Sequence, residues 1–205
     1  MRVLVVTGGI GSGKSLVCRM LEQSYGIPVY EADAKVKALY SKVPSILDEI
    51  EESLGVKLRN ESGDFVPRML ADVIFSDKLA LQKVEDIIFP HLMDDFNCWA
   101  MSHGSDIVAF ESATVLEKPQ FDGFGDIVLL VDAPVQTRLN RACERDQVNR
   151  EKIQERISLQ IMMNYLSEGG HNDRINYRIV NDGTINDLET KLKEFIEKYG
   201  LTKML

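Results

Sequence analysis

Residues 5–17 read VVTGGIGSGKSLV, a run of β-formers that meets four glycines within six positions. Glycine loses more backbone freedom on folding than any other residue, so this density weakens a loop unless bare backbone is needed there. Gly8 to Ser15 also satisfies the pattern G-x-x-x-x-G-K-[ST] in full. In that pattern, inward-turned N–H groups and the positive end of a helix receive a phosphate. The lysine, here Lys14, reaches the β and γ phosphates, and the hydroxyl, here Ser15, takes Mg2+. A plain flexible turn requires neither the Lys-Ser pair nor a strand before it and a helix after it.

Both flanks are present. Val3 to Val6 is a short continuous apolar run, which predicts a first, central strand buried on both faces. Val17, Met20 and Leu21 fall at helical spacing and predict a helix from Lys14 to about Tyr25-Gly26. IPVYEAD (27–33), DIVAFES (106–112), DIVLLVDAP (126–134) and YRIVN (177–181) read as further strands. Helices are expected over residues 135–145, 150–167 and 185–199. From 34 to 102 the strand signal disappears: Ile46, Leu47, Ile50 and Leu54 mark one helical face. Leu81, Val84, Ile88, Leu92 and Phe96 mark another, over 78–101, with Pro90 expected to bend it. ESGDFVPR (61–68) is expected to be a turn or exposed loop. The alternation predicts an α/β protein with the P-loop NTPase fold: a parallel sheet of about five strands flanked by helices. A helical block, 34–104, interrupts it between the second and third strands.

At 205 residues the chain is long enough for one domain, 1–205, with an inserted subdomain. It is 44% hydrophobic and 27% charged, well away from the composition of disordered chains. A net charge of -8 argues against bulk attraction to nucleic acid or anionic membrane. The three cysteines, Cys18, Cys98 and Cys143, are odd in number and lack C-x-x-C spacing, so neither a disulfide framework nor structural zinc is suggested. No apolar run has the length of a signal peptide or a membrane span, and a cytoplasmic location is expected.

Asp33, just past the second predicted strand, lies on the sheet edge where α/β proteins bind ligands. It either accepts a hydroxyl proton or holds Mg2+ through water, or it caps a helix beginning at Ala34. Glu31 either assists it or is merely solvated. Arg138, Arg141 and Arg145 share one predicted helical face, with Arg150 and Arg156 following. Such charge is usually a solvated surface, yet phosphoryl transfer needs cations around the moving group, and Arg141 and Arg145 are assigned that role. His91, His103 and His171 form no metal constellation. Cys18 and Cys143 read as small helix-face residues.

In this order the pieces resemble the dephospho-coenzyme A kinase family, phosphate-loop kinases related to the nucleoside monophosphate kinases. The resemblance runs through TGGIGSGKS, EAD (31–33), IFSD (74–77), ESATVLE (111–117), DAP (132–134), RACERD (141–146), RISLQ (156–160) and VNDG (180–183). It implies ATP-dependent phosphorylation of the ribose 3′-hydroxyl of dephospho-coenzyme A, the last step of coenzyme A biosynthesis, with ATP and Mg2+. Gly11, Ser12, Gly13, Lys14, Ser15 and Leu16 would hold the ATP phosphates. Asp33 would be the base, the helical block would embrace the acceptor, and a lid at 138–168 would carry Arg141 and Arg145. Asn181 falls at an adenine-side contact. Partners would be small molecules only, with neither nucleic acid nor membrane, and the chain would act as a monomer. This sequence departs from the usual pattern at Leu16 (usually Thr), Glu31 (Asp), Phe89-Pro90-His91 (His-Pro), Ala113 (Pro) and Arg138 (Gln). Two other readings stand beside this one: a kinase for a different small acceptor, or a nucleotide switch, which would want an N-K-x-D signature that is absent.

Overall fold

β1 (Arg2–Thr7) carries the continuous apolar run, and Leu4, Val5 and Val6 are almost completely buried. It pairs with β3 (Ile107–Glu111) on one side and β4 (Ile127–Asp132) on the other. β2 (Val29–Glu31) lies beyond β3, and β5 (Tyr177–Val180) beyond β4. The order is therefore β2-β3-β1-β4-β5, every pairing parallel, with the expected first strand at the centre. Strand order reverses direction at β1, and open parallel sheets bind ligands at such a point, beyond the strands' carboxyl ends.

The structure, a computed structural model, describes residues 1–201; the last four residues of the expected 1–205 domain lie outside the described residues. Within it the chain forms two compact units, residues 1–31 with 104 onward, and Ala32–His103.

In the first unit, α1 (Lys14–Tyr25) and α9 (Ile185–Tyr199) share one core with the sheet. Val17, Leu21, Leu192 and Phe195 meet Leu4, Val6, Leu129 and Val131 there. Elsewhere in the core, the Tyr30 ring stacks on Phe110 at 5.6 Å, and Phe110 meets the edge of Phe124 at 4.8 Å. α1 stops at Gly26 (φ 63°), whose N–H and that of Ile27 bond back to Glu22 and Leu21. α9 opens with a capping box: the Thr184 hydroxyl accepts from Asp187 N–H, and the Asp187 carboxylate accepts from Thr184 N–H. Thr184→Ala is expected to lower the unfolding free energy by about 1 kcal/mol. Urea denaturation checks this, and an unchanged midpoint would show that water replaces the cap at no cost.

Three helices follow β4: α6 (Val135–Asp146), α7 (Arg150–Ser158) and α8 (Ile161–Ser167). The single helical stretch expected over 150–167 is in fact two, broken at Leu159-Gln160. The strand expected over 27–33 is also shorter, because Ala32 and Asp33 already belong to a helix.

That helix, α2 (Ala32–Lys42), opens the second unit, followed by α3 (Pro44–Leu54), α4 (Pro67–Ser76) and α5 (Lys78–His103). Prolines 44 and 67 stand in the first turns of α3 and α4, where a missing N–H costs nothing. ESGDFVPR is a turn up to Val66, and its last two residues begin α4. α5 runs through Pro90 and buries Ala80, Val84, Ile88, Leu92, Phe96 and Ala100, one every fourth residue. Ala80 takes the buried place expected of Leu81. The row packs against α2, α3 and α4, completing a small helical core.

Candidate active site

The phosphate loop, residues 8–13, joins the end of β1 to the start of α1. Gly13 caps α1 in the left-handed conformation (φ 103°), and its carbonyl accepts from the N–H groups of Leu16 and Val17. The N–H groups of Lys14 and Ser15, first in a twelve-residue helix, have no carbonyl one turn back inside it. They sit at the positive end of the helix dipole, the requirement for receiving a phosphate.

The loop's glycines have a second purpose that the motif does not disclose. A methyl group on Gly9 would overlap the Arg138 guanidinium, and on Gly11 the Arg138 carbonyl; on Gly8 it would meet the Val131 carbonyl, and on Gly13 the Asn181 amide. The loop is bare because β4, α6 and the segment after β5 press against it. Gly11 also has φ 76°, which L side chains rarely adopt. Gly11→Ala is therefore expected to cost about 2 kcal/mol of stability, because strain and a backbone clash coincide. Thermal unfolding measures this, and a variant as stable as the parent would mean that α6 can shift to make room.

Lys14 is nearly dry. Its Nζ lies 3.5 Å from Glu111 Oε1, and the two side chains are 11% and 13% exposed. Glu111 ends β3, level with Val6 of β1 and Glu31 of β2. The sequence reading did not single out Glu111, and its pairing with Lys14 follows from β3, not β2, lying beside β1. Cys18 sits among the same charges: burial pushes its thiol far up, Glu111 adds to this and Lys14 opposes it. It remains a protonated core residue, not a nucleophile.

The three arginines fall on one face of α6, as their spacing predicts, but meet different surroundings. Arg138, on a helical face whose charge is usually solvated, is wholly buried. Its Nε donates to Ile10 O at 3.1 Å, Nη2 to Gln160 Oε1 at 2.9 Å and Nη1 to Ser167 Oγ at 3.3 Å. Burial pushes this guanidinium down while the Asp132 carboxylate pulls it back. Arg141 Nη1 donates to Asn181 O at 3.0 Å. Arg145 is exposed and forks onto Asp146 at 2.6 and 3.0 Å, with Arg156 on the same carboxylate at 3.5 Å. Those two cations hold the Asp146 carboxyl below the usual range, Arg145 chiefly.

The Asn181 side chain donates to Ser12 O at 2.9 Å, so its amide supports the phosphate loop. Ser12 is buried, and its hydroxyl has no hydrogen-bond partner among the described residues. Asp33 belongs to the second unit, exposed in the first turn of α2, a place where negative charge suits the helix dipole. It is not the cap of a helix beginning at Ala34, since α2 begins at Ala32. His91 approaches Glu49 at 3.9 Å, and His103 and His171 bond to Trp99 O and Asp173, each at 2.8 Å.

A sequence model of the dephospho-CoA kinase family matches residues 2–187. The chain belongs to the dephospho-CoA kinase family. It is 37% identical over 170 residues to the dephospho-CoA kinase of Porphyromonas gingivalis, covering 83% of each chain. A crystal structure from Thermus thermophilus superposes with a TM-score of 0.80 at 26% identity, covering 96% of this chain and 97% of that one. The dephospho-CoA kinase of Campylobacter jejuni, at 18% identity, shares the fold with a TM-score of 0.63 over 96% of each chain.

Proposed function

We propose that this chain carries out its family's reaction, transfer of a phosphoryl group from ATP to the ribose 3′-hydroxyl of dephospho-CoA, giving coenzyme A and ADP. The observation that carries the reading is a family match over residues 2–187 on a chain whose phosphate loop is folded between β1 and α1 with Lys14 at its mouth. Residues Gly11 to Leu16 cradle the ATP phosphates, Lys14 and Ser15 through their N–H groups, and Lys14 turns its ammonium from Glu111 toward the β and γ oxygens.

Ser15, exposed in the first turn of α1, fits Mg2+. That ion prefers a single protein oxygen or two, with phosphate and water making up the rest. No group of three or more ligating side chains occurs among the described residues, which suits such a site and not an all-protein cage. When bound, Mg2+ would neutralise charge on the ATP phosphates.

Asp33 accepts the proton of the 3′-hydroxyl as its oxygen attacks the γ phosphorus in line. Residues 34–104 bind the acceptor. Residues 138–168 act as a lid in which Arg141 and Arg145 steady the transferred group, with phosphate displacing Asp146 from Arg145. No helix of the described residues is long and apolar enough to cross a membrane. As a separate part of the proposal, the enzyme acts in the cytoplasm as a monomer.

Release of ADP measured against a panel of acceptors tests the reading. Turnover is expected with dephospho-CoA and to fall to background with shikimate, nucleosides and nucleoside monophosphates. Equal turnover with one of these and none with dephospho-CoA would overturn it.

A further inference from the structure

Ile10 stands at the crest of the phosphate loop, and both of its main-chain groups are engaged. Its N–H donates to Gln160 Oε1 at 2.8 Å, and its carbonyl accepts from Arg138 Nε at 3.1 Å. Arg138 Nη2 donates to that same Gln160 oxygen at 2.9 Å, closing a ring of three residues. The remaining arm, Nη1, reaches Ser167 Oγ, which donates to Asp132 Oδ1 at 2.7 Å. Asp132 is in turn paired with Arg178. The Ile10 side chain packs on Leu139, Ala142, Ile153 and Ile157 of α6 and α7.

We propose that Arg138 and Gln160 are positioning residues, which grip the Ile10 peptide groups and so tie the shape of the phosphate loop to the placement of α6, α7 and α8. Three features support this. The guanidinium sends its three arms to three different acceptors, from the loop, from the α7–α8 joint and from α8, which a shorter glutamine amide does not span. Gly9 leaves space for the Arg138 guanidinium and Gly11 for the Arg138 main chain, since a side chain at either would overlap them. Gln160 sits at the break between α7 and α8, so any shift of that joint moves the acceptor for Ile10 N–H. The inference rests on the reading that this loop receives ATP. It assigns no contact with ATP to either residue; they act through Ile10.

Gln160 is half-buried at a helix break, so its variants should fold. Gln160→Leu removes the shared acceptor at similar volume and is expected to weaken ATP binding about tenfold, with KM for dephospho-CoA unchanged. Gln160→Glu keeps an oxygen for both donors and should restore most of that affinity. Because both residues act through Ile10 and share the Gln160 oxygen, Arg138→Gln combined with Gln160→Leu should bind ATP no worse than the weaker single variant. Titration calorimetry with ATP, beside thermal unfolding of the free protein, reads the outcome. Loss of melting temperature with ATP affinity unchanged would reduce both residues to packing and overturn the proposal, as would losses that multiply in the double variant. Wild-type protein that binds ATP without phosphorylating dephospho-CoA would sink the proposed acceptor and leave the clamp standing. Failure to bind ATP at all would sink the reading of the loop.

Discussion

Lys14→Met should lower kcat by about a thousandfold, the scale on which loss of one preorganised charge partner slows a reaction that develops charge. The size follows from where Lys14 sits. An ammonium group in nearly dry surroundings interacts far more strongly than one in water, and this one is 11% exposed. The same burial complicates the experiment, because Lys14→Met also removes the lysine charge beside Glu111 and should destabilise the fold. Combining it with Glu111→Gln separates the two effects. The double variant is expected to regain melting temperature while turnover stays down. If turnover returned as well, Lys14 would serve only to neutralise Glu111, and its assignment to the phosphates would be wrong.

Asp33→Asn should cost about a thousandfold in kcat, within the range for removing a general base, with ATP affinity unaltered. Asparagine keeps the shape of the side chain and the first turn of α2 while removing its ability to take a proton. Calorimetry with ATP and a turnover assay with dephospho-CoA give the two numbers, and full turnover would end the base assignment. The two variants differ in kind: Lys14→Met should impair nucleotide binding as well as turnover, Asp33→Asn turnover alone.

Much of the fold was legible because parallel strands buried on both faces must be largely apolar, and β1, β3 and β4 each read that way, while β5, at the sheet edge with Arg178 exposed, was marked by its β-formers Tyr177, Ile179 and Val180. The helical block was legible for the same reason in reverse: a 3.6-residue period with no β-run. β2 was overestimated because Ala32 and Asp33 continue an extended-looking sequence although the chain has already turned into α2. The α7–α8 break escaped notice because Leu159 and Ile161 suggest a continuing apolar stripe, yet both are exposed. Within the site, the residues of the phosphate-loop motif were plain, since local spacing defines them. Arg138 and Glu111 were not. A guanidinium on a charged helix looks solvated until a glycine far away in sequence, Gly9, makes space for it. A carboxylate at a strand end acquires its lysine only through strand order, which no local pattern encodes.

The crowding of the glycine loop by β4, α6 and Asn181 bears on the free enzyme. A loop whose Ile10 N–H is held by Gln160 and whose Ser12 N–H is held by Gly9 O is already frozen before any nucleotide arrives. Those two amides should therefore resist deuterium exchange in the unliganded protein, unlike the amides of an open glycine turn. ATP then meets a loop whose entropy was lost during folding, and capture of the nucleotide need not wait for it to order.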